Sequence, residues 1–388
     1  MKFTVLKSTF MNVLTPAMST VSNKNTIASI EGVLIETLED GRIQISTYDM
    51  NKGTRAVFTP YSVEREGQYI INAQRLYQAI RVLPEDLVTI DINDKLNCEI
   101  TCGEANFSIF ANRGTDFPNL PDLIGDEGFE VKSSTLKRII AKINHSIAVQ
   151  DNRIMLTGAF FRITPDKMEV VSCDNYTLSK CSVFCDIEAL DIGATGTNIN
   201  SSFIIPGHAV NELIKILPDR DDVKCKFLVS RKHAIIQCED LTFFTRTIES
   251  EYINYERLIP TDNNITVIVD RDRILSGLER ANIIAEEKIQ GSGRSYVKLS
   301  IDKGYLTISS SSVNGKLIDE MRCEHDGASI DIGFNCRFLI NSIKASDGEK
   351  IKIKFKSATQ AMTIEPYDED GEFKYFYMIL PVRMNENQ

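Results

Sequence analysis

Residues 77–86 read YQAIRVLPED, and residues 211–220 say nearly the same thing, NELIKILPDR. The phrases align as Ile80/Ile214, Arg81/Lys215, Leu83/Leu217 and Pro84/Pro218, a shift of 218 − 84 = 134 positions. Each belongs to a longer pattern, an apolar strand end followed by a short helix: YIINAQRLYQAIRVLPED (69–86) and FIIPGHAVNELIKILPDR (203–220). A third copy is IDIGFNCRFLINSIKASDGE (330–349), where Lys344 stands 344 − 215 = 129 positions beyond Lys215. The chain has 388 residues, so this spacing divides it in three, and such self-similarity means repeated structural units.

Upstream of each helix lies another amphipathic one. Phe10, Val13, Leu14, Ala17 and Val21 mark the first, with Pro16 opposing an unbroken helix. Leu136, Ile139, Ile140, Ile143 and Ile147 mark the second, and Ile274, Leu278, Ala281 and Ala285 the third. All keep the spacing of one buried stripe. The text around them alternates like strands, as in FFRITPDKMEVVSCD (160–174) and VKCKFLVSRKHAIIQCEDLTFFTRT (223–247), and Asp370-Gly371 reads as a hairpin turn. The expected fold is α+β, each unit laying two helices on antiparallel strands. Linkers near Pro118–Gly128 and Pro260–Asn264 give domains 1–125, 126–260 and 261–388.

On a helical wheel Leu76, Ile80 and Leu83 form the buried stripe and Arg81 lies nearly opposite. Lys215 and Lys344 take the same outward place, joined by Arg138, Lys142, Arg273 and Arg280 on the partner helices. Three equivalent cations in a chain of net charge −10 suggest a basic face on an acidic protein.

Enzyme motifs are missing. GSGRS (291–295) is a flexible loop and not a phosphate-binding loop, and no nucleophile elbow, zinc-protease or dinucleotide signature occurs. The four histidines have no ligand-spaced partners, and Asp368, Asp370 and Gly371 lack the glutamate that closes a calcium loop. Nine cysteines without metal spacing read as reduced thiols; Cys98 and Cys102 share a hairpin. The start, MKFTVLKSTF, alternates like a strand, and no run reaches the roughly 20 apolar residues of a membrane span. The expectation is a cytoplasmic non-enzyme with no cofactor, no metal and no membrane partner. The final YFYMILPVRM reads either as a last core strand or as an edge strand apolar on both faces, with Met378, Leu380, Val382 and Met384 on one side and Tyr377, Ile379 and Pro381 on the other. Such an edge strand invites a partner.

These features, with DFPNL (116–120), FIIP (203–206), TFFTRTIESEYINYERLIP (242–260), IGFN (332–335) and LPVR (380–383), resemble the bacterial sliding clamp family, the DNA polymerase III beta subunits, over the whole chain. The resemblance implies three DNA-clamp domains and a head-to-tail homodimeric ring around duplex DNA, gripping phosphates without reading sequence. The implied DNA contacts are Lys24, Gln74, Arg75, Gln150 and Arg153; Ile154-Met155 replaces an aromatic pair that some members use for stacking.

The resemblance further implies a groove for short linear motifs of the replicative polymerase alpha subunit, the clamp loader, translesion polymerases and mismatch-repair proteins. Its wall would comprise Leu156, Cys173, Asn175, Tyr176, Thr177, Leu178, Ile253, Arg257, Leu258, Cys336, Met378, Ile379, Leu380, Pro381, Val382, Arg383 and Met384. Asn175, Thr177, Ile253 and Asn254 depart from the family's usual glycine, arginine, proline and aspartate, and Asn385–Gln388 extend past its usual end. The dimer interface would pair Phe107 and Ile109 with Ile283 and Ile284. Competing expectations are a scaffold that binds proteins but not DNA, and a hydrolase or transferase with a site between repeats.

Overall fold

The computed structural model describes residues 1–21, 31–121, 123–185, 187–190, 200–285, 296–312, 315–368 and 371–384. Lys24, the loop 291–295, Asp370 and residues 385–388 lie outside them.

Six α-helices occur among the described residues, two per repeat: α1 Lys7–Ala17, α2 Ala73–Val82, α3 Ser133–Ile143, α4 Gly207–Ile216, α5 Arg271–Ala285 and α6 Cys336–Ala345. Their stripes fall where the periodicity puts them. Leu76 and Ile80 of α2, Leu136, Ile139, Ile140 and Ile143 of α3, and Ile274, Leu278 and Ala281 of α5 are buried, each worth up to ~3 kcal/mol for the larger side chains. Val13, Val21, Ile147 and Ala285 are only half-buried. Helix α1 runs through Pro16, whose missing hydrogen bond falls in the last turn against exposed Asn12. Beyond it the Ala17 carbonyl accepts from the Thr20 and Thr47 hydroxyls at 3.2 and 3.1 Å. Asparagines cap α2 and α6: Asn72 Oδ1 accepts from the Arg75 amide, Asn335 Oδ1 from the Arg337 amide.

The described residues form two compact units. The first holds Met1–Lys137, Ile187–Ile199 and His208–Glu249; the second holds Arg138–Asp186, Asn200–Gly207 and Ser250–Gln388. The first unit contains a 14-stranded antiparallel sheet in which strand Leu241–Arg246 of the second repeat pairs with Lys52–Phe58 of the first. The second unit contains a nine-stranded sheet, in which Thr177–Phe184 of the second repeat pairs with Phe373–Ile379 of the third, and a four-stranded one. The middle repeat thus contributes a sheet to each unit, because backbone pairing continues across the repeat boundaries. The first linker is shorter than expected, since strand Glu127–Lys132 already includes Gly128.

Of the two readings of the last strand, the core strand holds and the edge strand fails. Phe373–Ile379 is an interior strand, paired with Thr177–Phe184 on one side and Met362–Pro366 on the other. Its two apolar faces are accounted for by burial on both: Tyr377 and Ile379 are fully buried, and Phe373, Tyr375 and Met378 nearly so.

Candidate functional site

The register of that strand assembles the floor of the candidate groove. Leu178 lies opposite Met378 on one side and Cys173 on the other. With Leu156, from the 3-10 turn Ile154–Thr157, they join one apolar cluster that also holds Tyr255. Ile253 and Tyr252 pack against it, and Tyr252 stacks on Phe160 at 5.0 Å. Burial of Leu156, Cys173, Leu178, Met378 and Ile379 makes them floor and not open wall.

Tyr255 also fixes one rim. Its hydroxyl donates to Glu169 Oε1 at 2.7 Å, and Glu169, 3% exposed, meets Lys167 at 2.9 Å and Lys180 at 3.2 Å. Burial pushes the Glu169 carboxyl up, but hydrogen bonds from Lys167 and Tyr255 and the Lys180 charge outweigh it and hold it below the ordinary value. A well-paired carboxylate thereby anchors the turn Tyr255–Leu258, which presents Arg257 and Leu258 to solvent.

The opposite rim is the end of the described chain. Past Ile379 the Leu380 amide donates to the Tyr176 carbonyl at 2.9 Å, and the Val382 amide to the Gly333 carbonyl at 2.8 Å. The chain end passes close over Gly333, where a Cβ would meet Met384 Cγ at 2.9 Å and the Val382 carbonyl at 3.2 Å. Leu380 is 39% exposed, and Tyr176, half-exposed, stacks on Phe338 at 5.9 Å. Asn175 takes φ +77°, a left-handed position asparagine tolerates. Its side-chain amide donates to Asp151 Oδ2 at 2.6 Å, and Asp151 Oδ1 accepts from the Arg153 backbone and guanidinium. Those contacts, the Arg153 amide foremost, hold Asp151 below the usual carboxylate range. Asp151 therefore ties the groove's turn to the loop bearing Gln150 and Arg153.

Neither Asp151 nor Phe338 was singled out from sequence, because each lies far along the chain from the residue it meets. Two expected wall residues face elsewhere. Cys336 directs its thiol to the Leu278 carbonyl at 3.3 Å, and Thr177, 2% exposed, meets Ser146 Oγ at 2.8 Å and Asp174 Oδ1 at 2.9 Å. From Ser146 a buried polar chain continues to Ser179 at 2.7 Å, His145 Nε2 at 3.1 Å and Ser342 of α6 at 3.2 Å. Burial drives the His145 pKa down to about 4, so the ring is neutral near pH 7.

The cations divide into classes. Arg81, Lys215 and Lys344 are all exposed, and each is the penultimate residue of its helix, where the helix dipole favours positive charge. Lys215 contacts Glu212 at 3.3 Å and Lys344 contacts Glu279 at 2.8 Å, whereas Arg81 and Arg75 have no carboxylate partner among the described residues. Arg138 reaches Glu372 at 3.2 Å and lies over the Phe373 ring. Arg273 and Arg280 both clamp Asp319, whose pKa falls to about 2, chiefly through the Arg273 hydrogen bond. Lys142 is not outward. It is 5% exposed, bonded to Asp347 at 2.6 Å and to the Ala345 carbonyl at 3.1 Å, above the Tyr375 ring. Its place on α3 is the flank that packs against the α6 end, so a wheel drawn for one helix misassigned it.

Two strand segments that bear exposed apolar residues have a partner on one side alone among the described residues. Residues 105–110 pair only with Asn97–Cys102, and Lys316–Arg322 pairs only with Tyr305–Ser311. Phe110 is 78% exposed, Ile318 76% and Ile283 71%. Phe107 and Ile109 turn instead toward the first repeat's core, half-buried against it, and Ile284 is also half-buried.

Three repeats of paired helices on antiparallel sheets, with one equivalent helical cation apiece, define the sliding-clamp class of fold. Models of the DNA polymerase III beta subunit match the chain three times, its N-terminal domain over residues 1–121, central domain over 130–254 and C-terminal domain over 256–383. The chain belongs to the DNA polymerase III beta subunit family. It is 24% identical to the beta sliding clamps of Bacillus subtilis, over 99% of this chain and 100% of that one, and of Staphylococcus epidermidis, over 99% of each. Its fold matches the sliding clamp structures from Pseudomonas aeruginosa, there bound to griselimycin (TM-score 0.88, 20% identity), and Thermotoga maritima (TM-score 0.87, 22% identity), each over 99% of this chain and 100% of the other.

Proposed function

We propose that the protein is a DNA sliding clamp, a non-catalytic processivity factor whose partners are duplex DNA, a DNA polymerase and a second copy of itself. The observation that carries this reading is the cation repeated at the penultimate position of α2, α4 and α6. One positive charge per repeat, and no base-reading constellation, suits a surface that passes over phosphates without choosing a sequence. Arg75 and Gln150 add to that surface, and Lys24, outside the described residues, is a further candidate contact; Arg153, Arg138 and Arg280 contribute only after exchanging their carboxylate partners for phosphate, and Lys142 supports the helix ends from within.

In the finer reading, two chains close head to tail into a ring. Exposed Phe110 on one singly paired strand segment and Ile318 with Ile283 beside the other supply apolar, hydrogen-bonding borders that suit strand-to-strand association. The groove between Leu258, Tyr176 and Leu380 takes a short peptide with leucine and phenylalanine anchors, carried by the polymerase alpha subunit, the clamp loader, translesion polymerases and mismatch-repair proteins, in the cytoplasm. Met378 and Met384 adapt to different anchors as unbranched thioethers do. Electron microscopy of the purified protein tests the ring: particles with a central hole are expected, and solid or monomer-sized particles overturn it.

A further inference from the structure

Among the nine cysteines, one pair is placed opposite each other by strand register: Cys225 and Cys238, on the adjacent antiparallel strands Lys224–Val229 and His233–Cys238. Which kind of opposition this is follows from the turns at either end. Cys238 pairs with Leu241 across a two-residue turn, so its amide and carbonyl both point at the strand Leu241–Arg246. At the other end, the Ser230 amide donates to the His233 carbonyl at 2.8 Å, and counting outward by alternation from that bonded pair gives the same phase. Cys225 and Cys238 are therefore a non-hydrogen-bonded pair, the narrow kind, with Cα atoms about 4.5 Å apart and side chains on one face. That separation lies within the range of roughly 4.4–6.8 Å that a disulfide spans.

The remaining described cysteines lack this arrangement. Cys98 faces Ile109, Cys102 faces Ala105, Cys173 faces Leu178, and Cys181 lies between Val170 and Tyr375. We propose that Cys225 and Cys238 are a dithiol modification site, converted by hydrogen peroxide to a reversible cross-strand disulfide.

The chemistry balances in two steps. The Cys238 thiolate attacks one peroxide oxygen, the O–O bond breaks, and with one proton taken up the products are Cys238 sulfenic acid and water. The Cys225 sulfur then displaces the hydroxyl from the Cys238 sulfur, giving the disulfide and a second water. Each peroxide gains two electrons, one from each sulfur. Cys238 suits the first role because it is 5% exposed where Cys225 is fully buried, and because it stands beside the turn at 239–240. A hydrogen bond from Cys225, with Ser133 nearby, holds the Cys238 thiol below its ordinary value, while the same bond pushes Cys225 up.

The test uses the whole protein. After hydrogen peroxide treatment and alkylation, trypsin separates the two cysteines at Lys226, Arg231 and Lys232, and mass spectrometry without reductant seeks the peptides joined. The expected result is the linked pair, loss of both thiols at one shared rate, and full recovery with dithiothreitol. Cys238→Ala should leave Cys225 alkylatable after the same treatment, and Cys225→Ala should accumulate a dimedone adduct at Cys238. If either variant fails to fold, peptide mapping of the unaltered chain decides alone. Cys225 remaining alkylatable after peroxide, or a disulfide joining either cysteine to another partner, overturns the proposal.

Discussion

Replacing Arg81, Lys215 and Lys344 together with glutamine removes the one charge that all three repeats share. A cation that displaces counterions from B-DNA contributes about 0.9 to the slope of log affinity against log salt, so three per chain contribute up to about 2.7 per chain and about 5.4 for a two-chain ring. Between about 50 and 200 mM salt, a fourfold change, the full slope amounts to roughly a 2,000-fold difference in affinity. The structure sets a lower limit as well. Arg81 has no carboxylate partner among the described residues, but Lys215 and Lys344 must leave Glu212 and Glu279, at 3.3 and 2.8 Å. Exposed pairs of this kind are worth at most about 1 kcal/mol, which a phosphate can outbid, yet the exchange trims the counterions released. In the two-chain ring the triple variant should therefore lose between about 2 and 5 units of slope, and Arg81→Gln alone about 1.8. Glu212→Gln with Glu279→Gln should strengthen binding. Fluorescence anisotropy on a labelled duplex across a salt series measures all of these, with unfolding curves as control because exposed substitutions stay within about 0.5 kcal/mol. An unchanged slope in a folded, dimeric triple variant would refute the shared-cation reasoning.

Three further predictions concern the groove, the interface and pH. Leu380→Asp places a charge at the half-exposed lip of the groove and should weaken a peptide with leucine and phenylalanine anchors by about 2 kcal/mol or more, roughly thirtyfold, by calorimetry; undiminished affinity would move the site elsewhere. Ile283→Asp with Ile284→Ala, and separately Phe110→Asp, should yield monomers in ultracentrifugation, and persisting dimers would remove these residues from the interface. His145 is neutral in the fold with a pKa of about 4 against 6.5 for the free side chain, so below pH 6.5 the unfolded chain binds a proton that the folded chain refuses. Stability should fall by about 3 kcal/mol between pH 6.5 and about 4, then level off with respect to this group. Urea unfolding over that range should show a flatter dependence in His145→Gln; an identical dependence would mean that the ring titrates freely.

The helices, their buried stripes and the threefold repeat were legible in the sequence because period and side-chain type are local properties: Leu76 and Ile80 of α2 lie inside and Arg81 outside, as a wheel requires. The left-handed turn at Asn175 was legible through residue type. What the periodicity does not contain is which surface meets which. Lys142 follows the outward rule on α3 alone, but the end of α6 covers it with Asp347 and the Ala345 carbonyl. Phe373–Ile379 has the pattern of an edge strand apolar on both faces, yet pairing on both sides makes it interior. Asp151 and Phe338 enter the site only because separate segments bring them within a hydrogen bond of Asn175 and a ring contact of Tyr176. Sequence alone determined the repeating unit and its charged positions, since those depend on neighbours three and four residues apart. Tertiary structure decided which of those charges stay free and which apolar residues become floor, because both depend on contacts between residues far apart in the chain.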